Sequence, residues 1–369
     1  MSLGIYLHIP FCKQKCLYCD FNSYAGKSAW MDPYCDALKQ EIARYSSSER
    51  VDSVYFGGGT PTFLGADRLI ELLAQIKNYY SMSPDCEITV ECNPGTMDFK
   101  GFKKLRRAGF NRLSIGLQST DDKMLKRLGR IHNYEEFLRC FQNARDAGFE
   151  NISLDLMYGL PGQTLAMWRE TLQNVISLRP EHLSCYGLKI EEGTPFFEMR
   201  PELPDDDMQR EMYDLCVETL ETAGYARYEI SNFAISGRES RHNEKYWRCD
   251  DFLGFGAGAY SGLQHERYDN VRDIETYCER IHQGENAVLE RIPLSIQDRM
   301  SEFCFLGLRM TEGIREDVFE LRFHKTIQEV FGTVIQKNLD WGTLKYQDGV
   351  YRIPSQWLYV SNTILADFV

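Results

Sequence analysis

Three cysteines lie close together near the start of the sequence, at Cys12, Cys16 and Cys19. Thiolates are soft, strong metal ligands, and three in one short loop can hold three corners of an iron–sulfur cluster or of a zinc ion. The residues between them are mostly polar, which is not typical of a hydrophobic core. The spacing therefore indicates a metal site.

The identity of the metal depends on whether a fourth ligand exists. A structural zinc site has four protein ligands, usually with a second pair far along the chain. No second CxxC pair occurs, which favours a three-cysteine iron–sulfur site with an open iron. A zinc-stabilised interaction protein and three unligated cysteines remain the alternatives. The nine other cysteines are scattered and are expected to pack in the core: Cys35, Cys86, Cys92, Cys140, Cys185, Cys216, Cys249, Cys278 and Cys304.

Other polar groups follow predicted strands, at the edge where parallel β/α folds bind ligands. The glycine-rich turn Gly57–Thr62 lets backbone groups approach a ligand closely, although it is also compatible with a plain tight turn. Glu91 and Gln118 follow the third and fourth predicted strands. Asp155 lies inside an apolar strand, where an unpaired carboxylate is costly, so it is predicted to be functional or ion-paired.

The elements that must position these groups alternate between β-branched runs and amphipathic stretches, which is typical of a parallel β/α architecture. Residues 1–235 are therefore predicted to form a parallel α/β fold of six strands, each followed by a helix. The predicted strands are Ile5–Ile9, Ser53–Phe56, Glu87–Glu91, Arg112–Leu117, Ser153–Met157 and Ser184–Ile190. The predicted helices are Pro33–Tyr45, Ala66–Tyr79, Phe99–Ala108, Tyr134–Ala147 and Leu165–Leu178.

The alternation ends near residue 205. Residues 236–290 are interpreted as a connecting, loop-like segment, and residues 291–369 as a small winged-helix-like domain with an Asp348-Gly349 hairpin turn. Few bases cluster in that domain, which favours packing or partner docking over DNA binding. Gly254–Ala259 matches the dinucleotide pattern GxGxxA, but no convincing strand precedes it. A glycine-lined cavity wall is expected there instead of an NAD site.

Composition and charge exclude several further classes of protein. The 369 residues include 42 Lys plus Arg and 54 Asp plus Glu, giving a net charge of −12. Nucleic-acid binding is therefore not expected, and an anionic ligand needs a local group of arginines. No apolar run reaches the roughly 18 residues of a membrane span, and no signal peptide is recognisable. We expect a cytoplasmic protein whose membrane contact is at most peripheral, through an acceptor.

The CxxxCxxC loop followed by Gly57–Thr62 resembles the radical S-adenosylmethionine (SAM) superfamily. The preceding Tyr6–Phe11 is similar to oxygen-independent coproporphyrinogen III oxidases, and the resemblance extends over about residues 4–290. It implies that residues 1–235 form a partial (β/α)6 barrel of the radical SAM type, resembling a TIM barrel, with a [4Fe-4S] cluster on Cys12, Cys16 and Cys19. The fourth iron would take the amino and carboxylate groups of SAM.

The same resemblance suggests further cofactor-binding residues. Gly58, Gly59 and Thr60 match the segment that meets the methionyl ammonium, and Glu91 matches the ribose-binding carboxylate. The remaining assignments are Tyr6 beside the cluster, Gln118 and Arg130 towards the SAM carboxylate and the substrate, and Asp155 at the cofactor site.

Two departures from the oxidase pattern point to another branch. The oxidases carry a fourth cysteine two residues after the third, and here that position is Phe21. The run Arg241–Trp247 contains an HNxxYW pattern that resembles the haem chaperone branch. Imidazole is a common haem ligand, so the resemblance implies that His242 binds haem iron, with Arg238 and Arg241 near the propionates. The alternative for His242 is an ordinary loop histidine that forms hydrogen bonds with the backbone.

The predicted function is that of a haem chaperone with a [4Fe-4S] cluster, SAM and haem, delivering haem to haem-requiring respiratory proteins. The expected partners are haem or a porphyrin precursor and a haem-acceptor protein. The alternative is a coproporphyrinogen dehydrogenase that performs SAM-radical oxidative decarboxylation. No catalytic residue is assigned in either case.

Overall fold

The computed structural model describes residues 2–45 and 49–369. The first part of the chain alternates strands and helices. Its strands are β1 (Ser2–Ile9), β2 (Phe11–Cys12), β3 (Tyr24–Ala25), β4 (Arg50–Gly58), β5 (Ser81–Cys92), β6 (Arg112–Gln118), β7 (Ile152–Tyr158) and β8 (His182–Gly187). Its helices are α1 (Met31–Arg44), α2 (Ala66–Tyr79), α3 (Phe99–Ala108), α4 (Asp122–Arg127), α5 (Tyr134–Asp146), α6 (Leu165–Ser177), α7 (Pro195–Met199) and α8 (Asp206–Thr222).

The next part of the chain extends the same sheet at both ends. Its elements are β9 (Ala226–Arg227), β10 (Asn232–Ala234), α9 (Arg241–Trp247), β11 (Phe252–Phe255), β12 (Tyr260–Leu263), β13 (Glu266–Asn270), α10 (Ile274–His282) and β14 (Val288–Pro293). The order of the twelve strands within the described residues is β14-β13-β12-β11-β1-β4-β5-β6-β7-β8-β10-β9. The run from β11 to β8 is parallel throughout, and the strands outside it are antiparallel. The sheet is open, which confirms the partial α/β barrel.

The interpretation of residues 236–290 as a connecting segment is wrong, because β11 to β14 belong to this sheet. Their sequence gives little strand signal: β11 has only four residues, and one of them is Gly254. What holds β11 in place is its parallel pairing with β1, from Gly4↔Phe252 to Leu7↔Phe255. That pairing is long-range and leaves no local pattern in the sequence.

The barrel strands carry apolar side chains outwards and polar ones inwards. In β1, Ile5, Leu7 and Ile9 are fully buried in the core formed with the helices, whereas Tyr6 and His8 alternate with them. Successive side chains of a strand point to opposite faces, so Tyr6 and His8 face the interior of the barrel. The same alternation in the neighbouring strands makes the barrel interior polar.

The C-terminal domain has a core of its own, which includes Met300, Phe319 and Phe368. Its order, helix–strand–helix–helix–two strands, is that of a winged helix, as predicted. The elements of this domain are α11 (Ile296–Gly307), β15 (Ile314–Arg315), α12 (Glu316–Phe323), α13 (Ile327–Asp340), β16 (Lys345–Gln347), β17 (Val350–Arg352) and α14 (Ser361–Leu365).

Among the described residues of the whole chain, no helix combines the length and the apolar character that a membrane span requires.

A buried carboxylate joins α1 to the turn after β11. Glu41 accepts hydrogen bonds from the Gly256 amide (2.8 Å), the Asn270 side-chain amide (2.7 Å) and the Tyr277 hydroxyl (2.6 Å). Burial raises the pKa of Glu41, and these three donors oppose the shift. The carboxylate thereby fixes the glycine turn and α10 against the first barrel helix.

Replacing this carboxylate tests its contribution to stability. Glu41→Ala leaves three buried donors without an acceptor, and each such group costs about 1–3 kcal/mol, so we expect the free energy of unfolding to fall by about 3 kcal/mol or more. Urea unfolding followed by circular dichroism measures the change. The matched control is Glu71→Ala, which removes an exposed ion pair with Lys39 and should cost under about 1 kcal/mol. Equal losses in the two variants would contradict this role.

Candidate functional site

The three-cysteine loop is held by backbone hydrogen bonds to the end of α4 and to α7. Leu17 donates its amide to the Leu128 carbonyl (3.0 Å) and accepts at its own carbonyl from the Phe196 amide (2.9 Å). The side chains of Leu17 and Tyr18 pack on a small apolar cluster that includes Leu128 and Phe196. The loop is therefore anchored between its cysteines, at the Leu17–Tyr18 step.

A chain of side-chain hydrogen bonds connects two of the thiols. The Cys12 sulfur lies 3.5 Å from the Thr60 hydroxyl, which accepts from the Asn93 amide at 2.7 Å. Arg130 donates to the side-chain oxygen Oδ1 of Asn93 at 2.6 Å and to the Cys16 sulfur at 3.5 Å. These contacts bring together residues that follow β1, β4, β5 and β6, where the sequence predicts the ligand site.

The thiols are in environments that differ from one another. Cys12 is buried, and burial raises its pKa while the Thr60 hydroxyl opposes the shift. Cys19 is partly exposed and lies 3.9 Å from the Ser23 hydroxyl, and burial also raises its pKa. Two of the three cysteines are thus neutral thiols before a metal displaces their protons.

The residues fit a cluster better than a single ion. Among the described residues, no three His, Cys, Asp or Glu side chains are grouped closely enough to hold one metal ion. A four-iron cluster does not require such a group, because each thiolate binds a different iron. The buried Nε of Arg130 has no partner, so a donor beside Cys16 is available to an anionic group.

Glycine at position 59 is explained by the cysteine loop itself. A Cβ there would lie 3.0 Å from the Cys12 sulfur and 2.9 Å from the Phe11 carbonyl oxygen. The amides of Gly59 and Thr60 donate to the carbonyls of Ile9 and Phe11, both at 2.9 Å. These two amides hold the loop, so the contacts of Gly58, Gly59 and Thr60 with SAM stay a prediction.

Glu91 lies on the inner face of the barrel below this turn. It accepts from the Tyr55 hydroxyl (2.9 Å) and from the Gly58 amide (3.1 Å). Burial, with a further contribution from the Asp155 charge, raises the pKa of Glu91 to about 8. A neutral carboxyl group therefore faces the barrel interior at pH 7, and its role as the ribose ligand stays a prediction.

Gln118 and Arg130 lie together, as the resemblance implies. A Cβ on Gly116 would come within 3.2 Å of polar atoms of Asn93, Gln118 and Arg130, so the three side chains meet above that glycine. Gln118 has a left-handed backbone (φ 71°) at an irregularity in the pairing of β6 with β7. Such a conformation is strained for a residue other than glycine and is typical of ligand sites.

Asp155 and Tyr6 also face the barrel interior. Asp155 accepts from the Ser114 hydroxyl at 3.1 Å, and burial raises its pKa. His8 donates from Nε2 to the Asn22 carbonyl (2.7 Å), so its Nδ1 accepts from the Tyr6 hydroxyl (3.1 Å). Asp155 was predicted to be either functional or ion-paired. It has no ion pair within the described residues, so its functional role stays a prediction.

His242 does not project into open space. Its ring is 1% exposed, with Nδ1 3.0 Å from the Ser53 hydroxyl and Nε2 2.8 Å from the Tyr246 hydroxyl. Burial lowers the pKa of His242 to about 3, so the imidazole is neutral. Both nitrogens are engaged, and iron could bind only if one of these hydrogen bonds broke. The structure thus favours a hydrogen-bonded histidine, but the alternative is wrong in two respects: His242 lies in α9 and not in a loop, and its partners are side chains and not backbone.

The two arginines expected near haem propionates are not placed for that role. Arg241 forms an ion pair with Asp85 at 3.0 Å, and neither Arg238 nor Arg241 lines the large cavity described below. The residues before Gly254 do form a strand, β11, contrary to prediction. A turn and the antiparallel β12 follow it, so no helix N-terminus is available for a dinucleotide phosphate.

A cavity of about 1210 Å³ opens between the barrel and the C-terminal domain. Tyr6, Gly58 and Glu91 line its barrel end, and Phe21 and Gly258 line it near the cysteine loop. Pockets for drug-sized ligands measure about 300–1,000 Å³, so this volume can hold a ligand as large as a tetrapyrrole. The predicted glycine-lined wall is present at Gly258.

Comparison with known proteins identifies the family. The Radical SAM superfamily model matches residues 6–175, and the HemN C-terminal domain model matches residues 294–356. Heme chaperone HemW of Bacillus subtilis is 35% identical over 373 residues, covering 99% of this chain and 98% of the relative. The Escherichia coli protein of the same name is 42% identical over 347 residues, covering 90% and 92%. The chain belongs to the HemW family.

A solved structure supports the fold of this HemW-family chain. Coproporphyrinogen III oxidase (HemN) from Escherichia coli, described as a radical SAM enzyme, superposes with a TM-score of 0.89 at 23% identity. The match covers 100% of this chain and 90% of that one. The radical SAM barrel and the C-terminal domain are therefore shown.

Sequence reasoning missed one member of this site in the HemW-family chain, Asn93. It bridges Thr60 and Arg130 and thereby links both thiol contacts. Its position two residues after Glu91, directly past β5, was the available signal. An asparagine before Pro94-Gly95 is equally typical of a turn, so the sequence alone does not distinguish the two roles.

Thr60→Val tests the link between Cys12 and this polar network. The change removes the hydroxyl but keeps the shape, and losing an outer-shell partner of a metal ligand typically costs about 10–100-fold in metal affinity. We expect the reconstituted cluster, without SAM, to lose iron to a chelator about tenfold faster. The control is Thr62→Val, whose hydroxyl contacts Thr96 at 2.7 Å instead. Equal rates in both variants would exclude the link.

Glu91 predicts a pH dependence of stability. Its pKa is about 8 in the folded chain against 4.5 for the free side chain, so the folded state holds an extra proton between these values. The free energy of unfolding should therefore fall as the pH rises through this window, by about 1.4 kcal/mol per pH unit from this group. Glu91→Gln should remove that slope.

Urea unfolding of the metal-free protein from pH 5 to about pH 8 measures the slope. Glu170→Gln, on the exposed face of α6, is the control and should keep the wild-type slope. A Glu91→Gln slope equal to that of the wild type would mean that Glu91 is ionised in the folded chain.

Proposed function

We propose that this protein is a haem chaperone that binds a [4Fe-4S] cluster, SAM and haem and passes haem to a haem-requiring acceptor protein. Similarity over nearly the whole chain to proteins named heme chaperone HemW supports this proposal. The single observation that carries the distinction from an oxidase is Phe21. Phe21 is 64% exposed and lines the cavity wall beside the cysteine loop.

Phe21 changes what the cavity can do. A thiol at this position could ligate metal or exchange hydrogen, whereas a phenyl ring can only pack or stack. An exposed ring next to Asp20 at the mouth of a large cavity suits a flat apolar ligand that is held without being converted. The radical SAM machinery is therefore combined with a binding surface instead of a fourth sulfur.

The cofactor part of the proposal assigns the cluster to Cys12, Cys16 and Cys19. The unpartnered Nε of Arg130 suits the SAM carboxylate, and Gln118 lies beside it. Glu91 is placed to accept the ribose hydroxyls once it ionises or turns from Tyr55. When bound, the cluster supplies an open iron and reducing electrons to SAM.

Haem, as the cargo, suits the cavity between the barrel and the C-terminal domain. Several of its wall residues are apolar, including Phe252, Phe305 and Phe323, and its location between two domains gives an acceptor protein access. An acceptor that displaced the C-terminal domain slightly would uncover the cargo. We expect a cytoplasmic protein that contacts membranes only through such an acceptor.

Haem transfer by direct contact is the test of this function. The haem-loaded protein is mixed with haem-depleted respiratory membranes, and the Soret band is followed. We expect the transfer rate to rise with membrane concentration, because hand-over requires an encounter. With apomyoglobin as control acceptor, the rate should be independent of concentration, because passive dissociation limits it.

The oxidase alternative is tested on the same preparation. Under anaerobic conditions with SAM and a reductant, the protein should form no protoporphyrinogen IX from coproporphyrinogen III. Product at catalytic rates would overturn the proposal and establish the enzyme, whose fold this chain shares. Absence of haem binding by the intact protein would also overturn it.

A further inference from the structure

The cavity between the barrel and the C-terminal domain contains one histidine whose ring is free. All seven histidines lie in the described part of the chain, and two of them, His8 and His265, line this cavity. Both ring nitrogens of His8 are hydrogen-bonded, to Tyr6 and to Asn22. The His265 ring is exposed and forms no hydrogen bond or ion pair with the described residues.

His265 occupies an unusual backbone position. With Gln264 it forms the two-residue turn between β12 and β13, with φ values of 51° and 69°. Such turns favour Asn-Gly, and a bulkier residue with positive φ costs roughly 1–2 kcal/mol. Backbone strain of this kind is typical of positions whose side chain takes part in a functional site. The turn also contacts the segment that leads from β14 into α11, because the Leu294 amide donates to the His265 carbonyl at 2.8 Å.

The cavity also offers donors for carboxylates. Four arginines line it, and two of these are already ion-paired: Arg267 with Glu302 at 2.8 Å, and Arg322 more loosely with Asp250 at 3.9 Å. Arg272 and Arg299 form no ion pair within the described residues, although both line the same cavity. Unpaired guanidinium groups are the ones free to receive an incoming carboxylate.

A further donor lies on an aromatic wall. The Trp247 ring lines the cavity, and its buried indole N–H has no acceptor within the described residues. Arg309 stacks on this ring at 4.3 Å. A buried donor without a partner is uncommon in a folded protein and indicates that something else accepts from it. The cavity thus combines a free imidazole, unpaired cationic groups and aromatic surfaces.

We propose that haem binds in this cavity with its iron on His265 and its propionates towards Arg272 and Arg299. The inference rests on the proposed function, and it places the cargo at the hairpin between β12 and β13 instead of at His242. An imidazole nitrogen is available at His265 without breaking a hydrogen bond, whereas at His242 a hydrogen bond would have to be broken. His265 shares the cavity lining with Phe305 and Phe323 of the C-terminal domain, so the cargo would lie beside the domain that an acceptor would move.

His265→Gly tests the iron ligand without endangering the fold, since glycine is favoured at this turn position. In the intact protein, we expect haem affinity to fall by at least about tenfold, since even an outer-shell partner is worth that much. The Soret band should lose the position typical of histidine ligation, and added imidazole should restore it. The melting temperature should be unchanged or higher.

His282→Ala, on the exposed surface of α10, is the control and should bind haem as the wild type does. His242→Ala distinguishes the competing ligand. A wild-type spectrum in His265→Gly, or loss of the histidine-ligated band in His242→Ala alone, would overturn the inference while leaving haem binding intact. If the wild type binds no haem, the proposed function itself fails.

The propionate contacts have their own readout. Arg272→Gln combined with Arg299→Gln should weaken haem binding severalfold but leave binding of haem dimethyl ester unchanged, because the ester has no carboxylates to lose. Arg238→Gln combined with Arg241→Gln, outside the cavity, is the matched control. Equal losses for haem and its dimethyl ester would remove the two arginines from the site.

Discussion

The hydrogen-bonded chain from Cys12 through Thr60, Asn93 and Arg130 to Cys16 is the constraint on which the site depends. It joins loops that follow four different strands, so it can form only when β1, β4, β5 and β6 are in register. The cysteine loop is then pinned by backbone bonds on its other side. A metal-binding loop is flexible by itself, and the sheet edge supplies the order that it lacks.

The polar groups inside the barrel are of two kinds, which lie at different depths along its axis. Near the C-terminal ends of the strands, Glu91 and Asp155 have raised pKa values, and the Arg130 Nε has no partner, so these groups are open to a ligand. Deeper in the barrel, His242 is stacked at 5.3 Å on Tyr55 and is hydrogen-bonded at both nitrogens. The groups near the strand ends are therefore available to a ligand, whereas His242 is fixed in the packed interior of the barrel.

Local patterns explain how much of the fold the sequence could predict. Helices α2 and α3 begin and end at the predicted residues, because an apolar stripe at helical spacing and Gly109 as a C-terminal cap are local signals. β11 was not predicted because it is short and depends on pairing with β1, whose paired residues lie 248 positions away in the chain. The first half of β5 was missed because Ser81–Asp85 contains Pro84 and lacks β-branched residues, so it has little strand signal.

The candidate site was predictable to a similar degree. The spacing of Cys12, Cys16 and Cys19 indicated the metal site, and the positions of Glu91 and Gln118 at strand ends indicated the ligand edge. Arg130 was predicted from the family resemblance alone. The bridging role of Asn93 and the burial of His242 depend on three-dimensional contacts and could not be predicted from the sequence. His265 had no sequence signal, because a lone histidine in a turn is ordinary until its backbone angle and its cavity are known.

The most direct measurement of the central claim is the iron and sulfide content and the EPR spectrum of the anaerobically reconstituted protein, with and without SAM. The account predicts about four irons per chain and a reduced-cluster signal that changes when SAM is added. One zinc per chain without sulfide, or a cluster signal that SAM leaves unchanged, would contradict it.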